Sequence, residues 1–393
     1  MITLFFGLSQ NCKSIDKFPI GKVYFHIPKD LPRIIVPTII NDSIQADLTF
    51  DSAGTLWLDS TFCVQNKIKF DNKIAYPGGV AWSTSRTPFH FSNTPISLSL
   101  GEHHIIYKRS EIADWKRYMG QYQAVGMFDT PIDDTTHVWE INFEKEYLQI
   151  HPSSSFRAPE GTTFFPMEAD GERFLITIPI TAKFSDGSVI KGRWKGLIDT
   201  GAHQDIVLVN GAPEINILKK RNDAIWTITP NGYNRWNEVS ATVFDKYKLD
   251  SLRLYTVQNR VTIDANYVIG INFLKHFNVF LDLKNKRLGL QPLEHFIRIT
   301  DPLARRYHAH LNPLKNGRFV IDHIPNYESN YLKKAGLKVG DEIISINGIK
   351  YGSITDNDRT KMQSSDILKY KIRRQGKIKE IIVHVNKNEK QGD

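Results

Sequence analysis

The chain has 393 residues, 41% of them hydrophobic and 24% charged, with a formal net charge of +9. That length exceeds one ordinary core, so two or three folding units of a globular protein are expected. Lys and Arg alternate with Asp and Glu instead of forming a stripe, so no nucleic-acid partner is expected, and two cysteines, Cys12 and Cys63, exclude a disulfide framework.

In chain order, the first twelve residues, Met1 to Cys12, resemble the tail of an export signal with a short apolar core and no positive n-region. They predict an exported protein of the cell envelope, with Cys12 the candidate lipid-attachment point and hence a membrane partner. No apolar run approaches the roughly 20 residues of a spanning helix. From about Lys22 to Gln291 the text is short alternating runs broken by Gly, Asn, Asp and Pro. Phe174 to Ile180 and Val279 to Leu283 are examples, and the spacing predicts all-β architecture. The tract from His151 to Gly161 reads as a loop or linker, and a second break falls near Asp301-Pro302. The predicted units are an N-terminal segment 1–21, a first β lobe 22–156, a second β lobe 157–298 and a small α+β domain 299–390.

The two lobes repeat one plan. In the first, Leu48-Thr49-Phe50-Asp51-Ser52-Ala53-Gly54 ends an apolar strand; Val125-Gly126-Met127 and Trp139 to Phe143 follow. In the second, Gly196-Leu197-Ile198-Asp199-Thr200-Gly201-Ala202 is followed by Val268-Ile269-Gly270-Ile271 and Val279 to Leu283. Asp51 to Gly126 is 75 positions (126 − 51) and Asp199 to Gly270 is 71 (270 − 199). Recurring landmarks in one order at nearly one spacing indicate duplication.

An Asp followed by a small hydroxyl residue and Gly at a strand end suits one task. Two such loops facing each other across a pseudo-twofold axis bring their carboxylates together, and like charges that close share one proton. One carboxylate then activates water as general base while the protonated one polarises a carbonyl. The hydroxyl of Ser52 or Thr200 can tie its loop to the partner loop, and glycine lets backbone N–H groups approach the carboxylate.

These residues resemble the retropepsin-like, pepsin/retropepsin-type aspartic proteases of the fused two-lobe kind, over roughly residues 30–292. Leu197-Ile198-Asp199-Thr200-Gly201-Ala202 and Val268-Ile269-Gly270 match the pattern well. Lobe one departs from it: Asp51-Ser52 is followed by Ala53-Gly54 where the family has Gly-Ala, and Val125-Gly126-Met127-Phe128 is an imperfect companion. The resemblance implies a peptidase acting on a peptide or protein substrate, with catalytic Asp51 and Asp199. Ser52, Ala53, Gly54, Thr200, Gly201 and Ala202 would support the dyad, and no cofactor or metal is used. The alternative is a non-catalytic peptide-binding protein whose first lobe has lost its geometry. A dimer pairing two second lobes is disfavoured by a complete first lobe. Tyr76-Pro77-Gly78-Gly79 and Thr229-Pro230-Asn231-Gly232 are each either a flap tip or an ordinary turn.

From Asn316 the pattern changes. Gly317 to Ile324 reads as a strand, Ser329 to Leu337 as a short helix ending at Gly336, and Lys338 to Gly348 as turn, strand and turn. Ser365 to Tyr370 is expected as a second helix and Ile378 to Val385 as a last strand. The run Ala335-Gly336-Leu337, Gly340-Asp341-Glu342-Ile343 and Ile346-Asn347-Gly348 resembles a bacterial-type PDZ domain. That resemblance implies binding of an extended peptide, with Gly317, Arg318 and Phe319 in the carboxylate-binding loop. A domain that packs on the protease and binds nothing is the alternative. Serine-protease, phosphate-loop and dinucleotide motifs are absent. His103-His104 and His308-Ala309-His310 lack zinc spacing and neighbouring acids, so they are expected as solvated loop residues.

Overall fold

The computed structural model describes residues 21–28, 33–71, 73–75, 89–114, 124–131, 133–170, 173–209, 211–221, 223–229, 232–256, 265–296, 305–307, 310–313, 318–324, 330–355, 358, 361–362 and 365–385. The N-terminal export-type segment, Tyr76 to Gly79, Gly317 and the Asp301-Pro302 break lie outside them.

Strand Ile44–Phe50 carries Ala46, Leu48 and Phe50 on one face by the two-residue period, and all three are buried. It runs antiparallel to Ile34–Ile40 and parallel to Gly126–Phe128. Gly126–Phe128 has antiparallel Trp57–Asp59 on its other side, which in turn pairs parallel with Ser110–Ala113. The second half repeats this arrangement. Val189–Asp199 runs antiparallel to Arg173–Lys183 and parallel to Tyr267–Gly270. Tyr267–Gly270 is flanked by antiparallel Ile206–Leu208, itself parallel to Tyr247–Thr256. The duplication visible in the sequence is therefore a duplication of strand pairing.

The companion glycines are forced by that pairing. A β-carbon on Gly126 would sit 2.1 Å from the Trp57 carbonyl oxygen, and one on Gly270 would sit 2.2 Å from that of Gln204. No side chain fits either position, which is why the glycine recurs.

Two hairpins join the halves: His137–Asn142 with Tyr147–Pro152, and Phe277–Asp282 with Arg287–Pro292. Both turns are built alike. Asn142 accepts the Lys145 N–H on its side-chain oxygen and Asp282 accepts the Asn285 N–H; Glu146 and Lys286 take left-handed backbone at matching places. The hairpins meet antiparallel along Val138↔Asp282 to Ile141↔Val279, with Glu140 directly opposite Phe280. Thr163–Asp170 pairs with both Arg287–Pro292 and Arg173–Lys183, so the joining sheet runs on into the second half. One apolar cluster crosses the junction and includes Phe50, Trp139, Leu148, Ile198, Phe277 and Leu281. The protein is mainly β, and its two halves share a core.

Strands Ile225–Thr229 and Gly232–Val243 pair antiparallel up to Thr229↔Gly232, and residues 230 and 231 of the expected Thr229-Pro230-Asn231-Gly232 tip lie outside the described residues. Ile225–Thr229 is paired in turn by Arg305–Tyr307. Beyond it lies a separate sheet in the order His310–Pro313, Phe319–His323, Glu342–Ile346, Ile367–Arg374, Lys377–His384, with Ile349–Lys350 beside Glu342–Ile346. A short helix, Tyr331–Lys334, starts at Asn330, whose side chain accepts the Leu332 and Lys333 N–H groups. Gly336 follows it in left-handed backbone, as expected of a helix stop.

The expected helix at Ser365–Tyr370 is instead the start of strand Ile367–Arg374. Leu368, Tyr370 and Ile372 are all buried, and Lys369 and Lys371 between them are exposed. That alternation has the period of a strand, and pairing with Lys377–His384 over eight residues secures it.

Candidate active site

The Asp51 and Asp199 strands end side by side because each is held by its own companion strand and the shared sheet fixes the two halves. Ser52 and Thr200 then lock the loops reciprocally. The Ser52 N–H donates to Thr200 Oγ1 at 2.9 Å and the Thr200 N–H donates to Ser52 Oγ at 3.1 Å. Each hydroxyl passes its own proton across the interface, Ser52 Oγ to the Ile198 carbonyl at 3.0 Å and Thr200 Oγ1 to that of Phe50 at 3.2 Å. All four groups are buried, so each loop satisfies donors that the other would leave orphaned.

That lock brings Asp51 and Asp199 into side-chain hydrogen-bonding contact. Asp51 Oδ1 accepts the Ala53 N–H at 3.0 Å, and Asp199 Oδ1 accepts the Ala202 N–H at 2.8 Å. The Asp51 carboxylate lies against Gly201: a β-carbon there would be 2.1 Å from Oδ2 and 2.4 Å from Cγ. Gly201 thus has a steric reason to lack a side chain. Its lobe-one counterpart, Ala53, turns its methyl toward the apolar cluster of Leu197, Ala202 and Val268. The order Ala53-Gly54 therefore leaves the Asp51–Asp199 contact intact, and Gly54 sits where an added β-carbon would touch Met127 and Asp51 at 3.2–3.3 Å.

Burial is the largest influence on both carboxyls. It pushes Asp51 up, against the charge of Arg33 and hydrogen bonds from the Ala53 N–H, Asp199 and the Gly201 N–H. Asp199 is pushed up to about 8 by burial and then by the Asp51 charge, against Arg33 and the Ala202 and Gly201 N–H groups. Two desolvated carboxyls in contact retain a proton between them at neutral pH. Asp199 is buried, whereas Asp51 is half-buried and gives the pair its solvent-facing side.

Arg33, which precedes strand Ile34–Ile40, draws both carboxyls toward the ionised form and has no sequence signature. Trp139 is a second residue that the motif does not reveal. Its indole lies near-parallel to the Phe50 ring at 6.2 Å, behind the Asp51 loop, and its N–H donates to Asp134 at 3.0 Å.

In the C-terminal sheet, Arg318 is exposed and pairs with Glu342 at 2.9 Å, while the half-buried Phe319 ring packs edge-on against Tyr351 at 4.9 Å. Strand Phe319–His323 is flanked on both sides, by His310–Pro313 and by Glu342–Ile346. Among the described residues, the sheet edge on that side is His310–Pro313. The histidine reading needs correction. His103 is half-buried and opens strand His103–Tyr107, and Asp134 and His137 come to it from 31 (134 − 103) and 34 (137 − 103) residues on. Of the His308-Ala309-His310 group only His310 is among the described residues, in the edge strand.

No family model matches this sequence, and no curated protein matches it. Among solved structures it is similar to the aspartic proteinase from Irpex lacteus, at 13% identity and a TM-score of 0.44, over 70% of this chain and 97% of that one.

Proposed function

We propose that this protein is an aspartic endopeptidase with the two-lobed retropepsin-like architecture, in which Asp51 and Asp199 hydrolyse a peptide bond through an activated water. The observation that carries the reading is the reciprocal Ser52–Thr200 lock, which holds two desolvated carboxyls in contact. A structural Asp at a strand end has no need of such a partner. The pair carries one proton. Its ionised member takes a proton from water as the oxygen attacks the peptide carbonyl carbon, and its protonated member donates to the carbonyl oxygen. Collapse of the tetrahedral species returns a proton to the departing amine, and no covalent enzyme intermediate forms.

The C-terminal sheet with its capped helix is proposed as a PDZ-type unit that recruits or orients peptide substrates, with strand addition at the edge His310–Pro313. Attachment to a cell-envelope membrane through Cys12 is proposed from the sequence of the N-terminal segment.

The test is cleavage of a mixed peptide library by the full chain, by Asp51→Asn and by Asp199→Asn. Turnover by the unaltered chain and its loss in both variants is expected. Turnover that survives either substitution removes the dyad. Peptide binding without turnover in the unaltered chain establishes the alternative, a peptide-binding protein of this architecture.

A further inference from the structure

Three ligand-type side chains meet at a place the proposed peptidase chemistry does not use. His103 opens strand His103–Tyr107, Asp134 lies in the turn after Pro131, and His137 opens strand His137–Asn142. One ligand atom from each lies within 4.8 Å of the others, and all three residues are half-buried. We propose that His103, Asp134 and His137 bind a divalent transition-metal ion of the zinc class, with solvent completing its coordination.

The donor set selects the ion. Two imidazoles and one carboxylate suit zinc and its neighbours, whereas calcium and magnesium require oxygen ligands. The carboxylate is already held in place by groups that do not ligate. Trp139 Nε1 donates to Asp134 Oδ2 at 3.0 Å, and Thr136 donates to Oδ1 through its hydroxyl at 2.8 Å and its N–H at 3.2 Å. Such outer hydrogen bonds orient a metal ligand and keep the carboxylate satisfied when the ion arrives.

Without an ion, a proton bridges His137 Nδ1 and Asp134, at 2.8 Å to Oδ1 and 3.1 Å to Oδ2. A metal takes the place of that proton with a small opening of the two groups. His103 completes the set: its ring meets that of His137 edge to face, with centroids 4.5 Å apart. A plain Asp134–His137 ion pair tying down a turn would have no use for His103. His104, next in sequence, instead bonds to Ser99 Oγ through Nδ1 at 2.9 Å and is exposed.

The test strips the full chain with a chelator and titrates it with zinc by calorimetry, and with cobalt(II) by visible absorption. One equivalent of zinc is expected to bind and to raise the melting temperature. His103→Ala and His137→Ala should each weaken binding at least about tenfold, a range typical of disrupted metal sites. His104→Ala and Asp199→Asn should leave it unchanged. A failure to bind one equivalent, or binding indifferent to both ligand substitutions, overturns the proposal. Cobalt on the unaltered chain needs no variant. A four- or five-coordinate ligand-field spectrum supports the site, and the spectrum of the free hydrated ion rejects it.

Discussion

Gly201→Ala is the sharpest probe of the Asp51–Asp199 geometry. The added carbon would stand 2.1 Å from Asp51 Oδ2 and 2.4 Å from Cγ. Van der Waals contact between carbon and oxygen begins above 3 Å, so the carboxylate must retreat by about 1 Å, and a misplacement of that size costs a reaction about 100-fold. Overpacking at this site should also cost about 1–3 kcal/mol of stability. The expected result is therefore a kcat lowered about 100-fold with KM nearly unchanged, in a chain whose denaturant midpoint falls modestly. The companion variant Ala53→Gly removes a methyl that faces the Leu197 cluster, away from the reacting pair. It should leave kcat within a few-fold and lower stability by about 0.5–1 kcal/mol. The assay is steady-state hydrolysis of one peptide substrate beside denaturant unfolding of each variant. If Gly201→Ala keeps kcat within about threefold of the unaltered chain, well short of that loss, Asp51 does not react from the place described.

Thr200→Val deletes the acceptor of the Ser52 N–H and the donor to Phe50, leaving buried backbone groups unpaired; unfolding should show a loss of about 1–3 kcal/mol, with most of it restored in Thr200→Ser. In Asp199 the folded-state value is raised from 3.8 to about 8, so its favourable contribution is complete below pH 4 and is lost as pH rises toward 8. Melting curves should accordingly show Asp199→Asn gaining stability relative to the unaltered chain between those limits; a constant difference would mean the carboxyl titrates normally. Arg374 donates from Nε and Nη2 to the buried Asp341, both bonds at 2.6 Å, and Nη2 also reaches the Gly336 carbonyl. Arg374→Ala should destabilise the C-terminal sheet by about 3 kcal/mol, read by hydrogen exchange of strands Glu342–Ile346 and Ile367–Arg374, while exchange in the Asp51 and Asp199 strands stays unchanged.

The paired Asp loops could be read before any coordinates because each is local: an apolar strand, an Asp, a hydroxyl residue and a glycine stand together in the chain. The companion glycines were legible for a similar reason, since the backbone contact that forbids a side chain recurs in both halves. Arg33 and the trio of His103, Asp134 and His137 could not be read in this way. Their chemistry depends on strands that meet far from where they lie in the sequence, and no spacing records it. Ser365 to Tyr370 was misread because its first residues are polar; the alternation that marks a strand begins only at Ile367 and continues to Ile372. Strand Phe319–His323 was legible as a strand but not as an inner one, because its neighbour His310–Pro313 carries little periodicity in four residues.

Glu140 opposite Phe280 makes the two halves distinguishable at the centre of the sheet that joins them. Both residues are buried, and directly opposed side chains in antiparallel strands stand about 5 Å apart. Two first halves meeting by this sheet would set one Glu140 carboxylate against another. Here Glu140 is instead satisfied within its own hairpin by Asn142, Tyr147 and His151. The central pair thus acts as a mating key: like halves are penalised, unlike halves fit, and a chain severed in the loop after Pro152 should reassemble as one copy of each part.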